Sequence, residues 1–235
     1  MKNTALTSAI NYNDYLKIFK QHNYNYFDEI YIVTDTNQDN ELEQICDDVK
    51  FKLIKTDKFY TFENQPAKFN RGAAYTYAMS LFKNPEIITI IDADTLLPES
   101  YNNIFAELKS KNIFDQMISS RRFVLETHQD YSKVFLEKDS NYKLEMRSSD
   151  WGWGYLQIFH AKSKWLKNGL VYPENYDCAV SDFMFRRQFG WHIFRQDTEE
   201  HYWDPEAQIC LRQFPVYGLG PNNINSRGRT APAFK

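Results

Sequence analysis

The 235-residue chain is poor in cysteine, glycine and proline, and it lacks any strong excess of one charge. Its three cysteines, Cys46, Cys178 and Cys210, are far apart, odd in number and follow no paired spacing. That argues against a disulfide framework or a zinc site and for a reducing compartment. Eight glycines and eight prolines are too few for a fibrous or low-complexity chain. A formal net charge of −3 demands no polyanionic partner. No apolar run reaches the ~18 residues that a membrane-spanning helix needs. The start, MKNTALTSAINYNDYLK, has no continuous apolar core of the kind a signal peptide carries, so a cytoplasmic location is expected.

What the chain has in quantity is aromatic. Sixteen Tyr and eighteen Phe bring aromatics to 17%, enough for both core packing and ligand stacking. A hydrophobic content of 43% over this length suits one compact domain, 1–235.

The first half alternates between strand and helix patterns. Ala5 to Ile10 reads as a strand, and Asp14 as the cap of a helix bearing Tyr15, Ile18 and Phe19. Glu29 to Thr34 is a β-branched and aromatic run that ends at Asp35, followed by turn chemistry through Asn40. Glu41 to Val49 reads as a short helix, Phe51 to Ile54 as a strand, and Asn70 to Leu81 as a helix. Ile87 to Ile91 is almost wholly apolar, the mark of a strand covered on both faces. This rhythm predicts an α/β fold: an open, mostly parallel sheet with helices on both faces. Such sheets bind ligands beyond the carboxyl ends of their strands, which directs Asp35, Asp92 and Asp94 to one crevice. In the second half, Lys133 to Lys143 reads as a loop or helix. Phe183 to Phe189 reads as a helix closed by Gly190, and His192 to Phe194 as a strand. Residues 218–235 are rich in Gly, Pro, Asn and Arg, which predicts an irregular tail or lid.

The sharpest chemical signal is Asp92-Ala93-Asp94. Two carboxylates at i and i+2, where a buried strand gives way to a loop, can converge on one hard divalent cation, Mn²⁺ or Mg²⁺. Such an ion would neutralise charge on a diphosphate leaving group. The plainer reading is a turn after a strand.

The segment IITIIDADTLLP, Ile87 to Pro98, resembles the Asp-x-Asp segment of GT-A-fold glycosyltransferases in the style of glycosyltransferase family 2. Other segments match in order. Ala9 to Asn13 resembles the first strand and its Asn-containing turn, Ile30 to Asn40 the second strand, and FNRGAA (Phe69 to Ala74) the helix start that faces the diphosphate. Trp151 to Tyr155 and Val180 to Gly190 are similar to a galactosyltransferase-like acceptor region. The resemblance implies a GT-A fold with a small mixed second sheet. It places nucleotide-sugar binding in about 1–98 and the acceptor and catalytic half in about 99–217. It implies Asp35 at the nucleotide base, Arg71 at the diphosphate, Asp92 and Asp94 on the metal with His201, and Asp182 as general base.

Each role has a plainer competitor. Asp35 is equally an Asx turn, Arg71 a solvated helix residue or an ion pair at a helix start, and Asp182 a helix cap before Phe183. Trp151 and Trp153 would share one face of an extended segment, as a sugar platform or as core. His201 is a metal ligand or a structural imidazole. The expected activity is metal-dependent transfer, inverting by resemblance, of a sugar from a UDP-sugar to an acceptor hydroxyl. The acceptor stays open among polysaccharide, glycolipid and glycoprotein. Transfer to modified DNA bases is the alternative, on the evidence of Arg186, Arg187, the Lys162/Lys164/Lys167 group and the basic tail. A further alternative is an inactive nucleotide-sugar-binding domain. A nucleotidyltransferase should carry a Gly-rich phosphate loop after its first strand, and Ile10 to Tyr15 has no glycine.

Overall fold

The computed structural model describes residues 1–37, 40–111, 113–144, 155–175, 181–189, 191–193, 201–203 and 208–219, with the backbone alone at 128, 191–193, 201–203, 209–210 and 212–214. The first half alternates as its patterning predicts. β1 (Asn3–Ser8), α1 (Asn13–Asn23), β2 (Glu29–Thr34), α2 (Asn40–Ile45) and β3 (Phe51–Lys55) come first. A small hairpin follows, β4 (Thr61–Phe62) with β5 (Gln65–Pro66), then α3 (Arg71–Ser80) and β6 (Ile87–Ile91). Next come β7 (Thr95–Leu96), α4 (Tyr101–Ser110), β8 (Met117–Leu125), α5 (His128–Tyr131) and β9 (Leu156–His160). The order closes with α6 (Ser181–Arg187), β10 (Trp191–Ile193), β11 (His201–Trp203) and β12 (Gln208–Leu219).

Among the described residues the main sheet has eight strands, in the order β3-β2-β1-β6-β9-β8-β12-β7. The four strands β3, β2, β1 and β6 are parallel. β9 then runs antiparallel between β6 and β8, forming a seam across the middle of the sheet. The two accessory pairs, β4–β5 and β10–β11, are antiparallel, where a mixed second sheet was expected.

Alternation along the strands explains the layers. On β1, Ala5 faces one core and Leu6 the other; on β6, Ile87 and Ile91 face one, Ile88 and Ile90 the other. The first core takes Leu16 and Phe19 of α1, Leu42 of α2 and Ile104 of α4. The second takes Ala74, Tyr75 and Ala78 of α3 with Phe185 of α6. Each fully buried Leu, Ile or Phe contributes about 1.5–3 kcal/mol. This two-sided burial is why the inner strands read as unbroken apolar runs.

Several boundaries differ from expectation, with local causes. α1 begins at Asn13, so Asp14 lies inside its first turn, and the N-cap position, Tyr12, makes no side-chain cap bond. α3 is capped as the sequence suggests: Asn70 Oδ1 accepts from the Ala73 N–H at 3.1 Å. Residues 132–136, within the stretch expected as loop or helix, form a π-helical turn after α5. Gly218 and Leu219, expected in an irregular tail, close β12, which pairs with β8 across a register shift between Leu211 and Val216. Among the described residues no helix is long and apolar enough to cross a membrane.

Candidate active site

The carboxyl ends of β1, β2 and β6 share one edge, in register through Ser8–Val33 and Leu6–Ile90. Asp92 follows β6 directly. Its N–H donates to the Tyr155 carbonyl at 3.1 Å, and its own carbonyl accepts from the Thr95 N–H at 2.9 Å. That turn sends Asp94 inward, where it is 1% exposed.

Around these acids runs an alternating chain of charges. Arg122, on β8, donates from Nη2 to Asp94 Oδ2 at 3.1 Å, and its Nη1 lies 3.9 Å from Asp92 Oδ2. Arg71, at the first turn of α3, donates from Nη1 to Asp92 Oδ1 at 3.3 Å and from Nη2 to Asp182 Oδ2. The Tyr172 hydroxyl donates to the other oxygen of Asp182. The order is thus Asp94, Arg122, Asp92, Arg71, Asp182, Tyr172. The guanidinium of Arg71 also lies over the ring of Tyr75, 5.6 Å from its centroid, and that of Arg122 lies 5.4 Å from the Tyr155 centroid.

Three carboxylates face two guanidiniums here, and the electrostatics reflect it. Burial pushes the Asp92 carboxyl up to about 7; Arg71 opposes the shift, Asp94 and Asp182 add to it, and Arg122 opposes it. Burial also works against both guanidinium charges. Asp182 beside Arg71, and Asp94 beside Arg122, outweigh it and raise both. Asp94 Oδ1 and Arg71 Nε have no hydrogen-bond partner among the described residues. A buried acceptor and a buried donor left open in one site call for an explanation.

Of the residues singled out from the sequence, Arg71, Asp92, Asp94 and Asp182 come together. Asp182 lies in the first turn of α6 and is 25% exposed. Asp35 directly follows β2, two strand spacings from β6, roughly 10 Å away. It is 7% exposed; its Oδ1 accepts from the Asn37 N–H, an Asx turn, and its Oδ2 from the Tyr60 hydroxyl at 2.7 Å. Trp151 and Trp153 lie outside the described residues, as does the side chain of His201, whose backbone belongs to β11. The basic face invoked for nucleic acid loses one member. Arg186 is 4% exposed and donates to Gln208 Oε1 at 3.2 Å, so it is turned inward.

The sequence reading missed Arg122, Tyr172, Tyr60 and Gly218. Arg122 left a trace: a charge inside the strand MISSRRFVL must be paired if its side of the strand is buried. Tyr172 left none, because its partner is supplied by a different element.

Neither a protein-family model nor a curated protein sequence matches the chain. Solved structures do. A mycobacterial protein aligns with a TM-score of 0.51 at 10% identity, over 96% of this chain and 69% of the other. A galactosyltransferase crystallised with donor and acceptor sugar analogues gives 0.43 at 10% identity, over 98% and 91%. Glucosyl-3-phosphoglycerate synthase from Mycobacterium tuberculosis gives 0.40 at 10% identity, over 68% and 56%. Identities this low speak to fold alone. The chain has the α/β architecture expected of a GT-A fold, an open sheet with a parallel leading half and helices on both faces.

Proposed function

We propose that the chain is a nucleotide-sugar-dependent glycosyltransferase that moves a sugar from a UDP-sugar to an acceptor hydroxyl. The observation that carries this reading is the alternating charge chain at the carboxyl edge of the parallel strands, with Asp94 Oδ1 and Arg71 Nε left without a partner among the described residues. Open α/β sheets bind their ligands at that edge. A diphosphate offers oxygens to a guanidinium; a divalent cation offers charge to a carboxylate.

The residues present fit Mn²⁺ or Mg²⁺. Asp92 is 30% exposed and Asp94 offers an unpartnered oxygen, both hard ligands. Among the described residues no group of three or more His, Cys, Asp or Glu stands ready, so the remaining ligands would be phosphate oxygens and water, with His201 a further candidate. When bound, such an ion supplies charge neutralisation for a departing diphosphate.

The protein's own groups have separate tasks. Arg71 binds and orients the diphosphate through a planar, permanently charged fork. Asp35 faces the nucleotide base from the end of β2. Asp182 accepts the proton of the acceptor hydroxyl, on the far side from the leaving group, as an inverting displacement requires. Trp153 stacks on sugar.

The test is a panel of nucleotide sugars, read for slow donor hydrolysis, alongside titration of UDP and Mn²⁺ into wild type and Asp94→Ala. The expected result is hydrolysis of one UDP-sugar and metal-dependent UDP binding that Asp94→Ala abolishes. UDP binding indifferent to both metal and carboxylate would remove the metal from the reading.

A further inference from the structure

Both oxygens of Asp182 are engaged, one by Arg71 and the other by Tyr172. Each oxygen of Asp182 already accepts one bond, so an incoming hydroxyl would have to share an oxygen with Arg71 or Tyr172. Arg71 is the shared element. One edge of its guanidinium holds Asp92 and Asp182, while Nε is buried without a partner among the described residues. Arg71 is also fixed from behind. The Cβ that Gly72 lacks would lie under 3.0 Å from the backbone of Pro173 and Glu174, and Asn70 Nδ2 donates to Glu174 Oε2 at 2.9 Å. The helix start therefore holds its place, and any change of partner falls to the Arg71 side chain.

We infer that Arg71 is a latch on Asp182, and that the diphosphate of the donor opens it. This rests on the reading of the site as one for a nucleotide sugar. A diphosphate dianion that draws Arg71 toward it competes with Asp182 for the same guanidinium, because Arg–phosphate contacts are charge-assisted and two-pronged like those to a carboxylate, and the diphosphate brings two charges to one. Asp182 keeps Tyr172 on Oδ1 and gains a free Oδ2. Oδ2 is then freed for the acceptor hydroxyl when a donor is present, so deprotonation follows donor binding. No bond is made or broken in this step; one ion pair is exchanged for another.

Carboxyl footprinting tests it. The holoprotein is treated with a water-soluble carbodiimide and glycine ethyl ester, with and without saturating UDP and Mn²⁺, and adducts at Asp182 are read by mass spectrometry. Asp115, whose side chain is 43% exposed, serves as reference. The expected result is an approximately tenfold rise at Asp182 with UDP and none at Asp115, the size of a modest population shift. Arg71→Met should show high labelling that UDP no longer alters. If that variant fails to fold, Tyr172→Phe keeps Arg71 and should show the UDP-dependent rise from a higher starting level. UDP binding seen by calorimetry with unchanged Asp182 labelling overturns the latch and leaves the nucleotide reading standing. Absence of any UDP binding removes the nucleotide reading, and the latch with it.

Discussion

Gly218 has no side chain where the guanidinium of Arg122 lies: a Cβ there would sit under 3.0 Å from Arg122 Nε, Nη2 and Cζ. The two residues are on paired strands, with Val216 opposite Arg122 and Gly218 opposite Val124. The gap in β12 is what lets Arg122 cross to Asp94.

Gly218→Ala should therefore act as a charge mutation. Displacing Arg122 leaves Asp94 buried and unpaired, a loss of about 3–5 kcal/mol. At about 2–4 °C per kcal/mol for a chain of this size, the melting temperature should fall by roughly 6–20 °C. Gly169 supplies the comparison. It has φ +74° with nothing within 4 Å of its would-be Cβ. Gly169→Ala should cost only about 1 kcal/mol, from backbone strain. Equal melting temperatures for the two variants would mean that Arg122 does not depend on the gap.

Metal binding should depend on pH through Asp92. Its carboxyl is pushed up to about 7, first by burial, so the proton is largely retained at pH 6 and lost at pH 8. A metal must displace that proton, so Mn²⁺ affinity should rise with pH across 7, by up to ~10-fold per unit below it. The stability effect has the same origin. A carboxyl raised in the folded state favours folding while protonated, and that contribution disappears as pH rises from ~4 through 7. Asp92→Asn should flatten both profiles, followed by Mn²⁺ titration and by thermal melts without metal.

Asp182→Asn keeps the shape of the side chain and removes its ability to take a proton. Transfer should fall by about 10²–10⁴, while UDP affinity is kept or rises, because an amide competes less with the diphosphate for Arg71. Turnover at the wild-type rate would take Asp182 out of the reaction and leave it as a partner for Arg71.

Cys46 should be chemically quiet. It is 7% exposed, and burial pushes its thiol up to about 11 against the pull of Lys20. At pH 8 roughly one molecule in a thousand would carry the thiolate there. Alkylation by iodoacetamide, followed at this residue by mass spectrometry, should wait for unfolding.

Local pattern explains what the sequence made legible. Glu29 to Thr34 and Ile87 to Ile91 are bounded by turn residues and covered on both faces, so their composition announces them. Asn70 caps α3 through an N–H three residues on, and only Ala93 separates Asp92 from Asp94. What was hidden depends on distant pairing. β12 contains Pro215 and a register shift, which break its alternation, and it is held by β8. Arg122 needs an acid 28 positions earlier, and Tyr172 meets Asp182 only because two separate segments close on α3. No window of neighbouring residues contains those relationships.

The antiparallel seam at β9 has a mechanical meaning. Asp92, Asp94 and Arg71 belong to the parallel half, while Arg122 and Asp182 come from beyond it, so the ion pairs are cross-braces over the join. Either half alone would strand buried charge at several kcal/mol per broken pair. The halves should therefore melt together, with calorimetric and van't Hoff enthalpies equal in a single transition. The same braces that prepare the site would make it the rivet of the molecule.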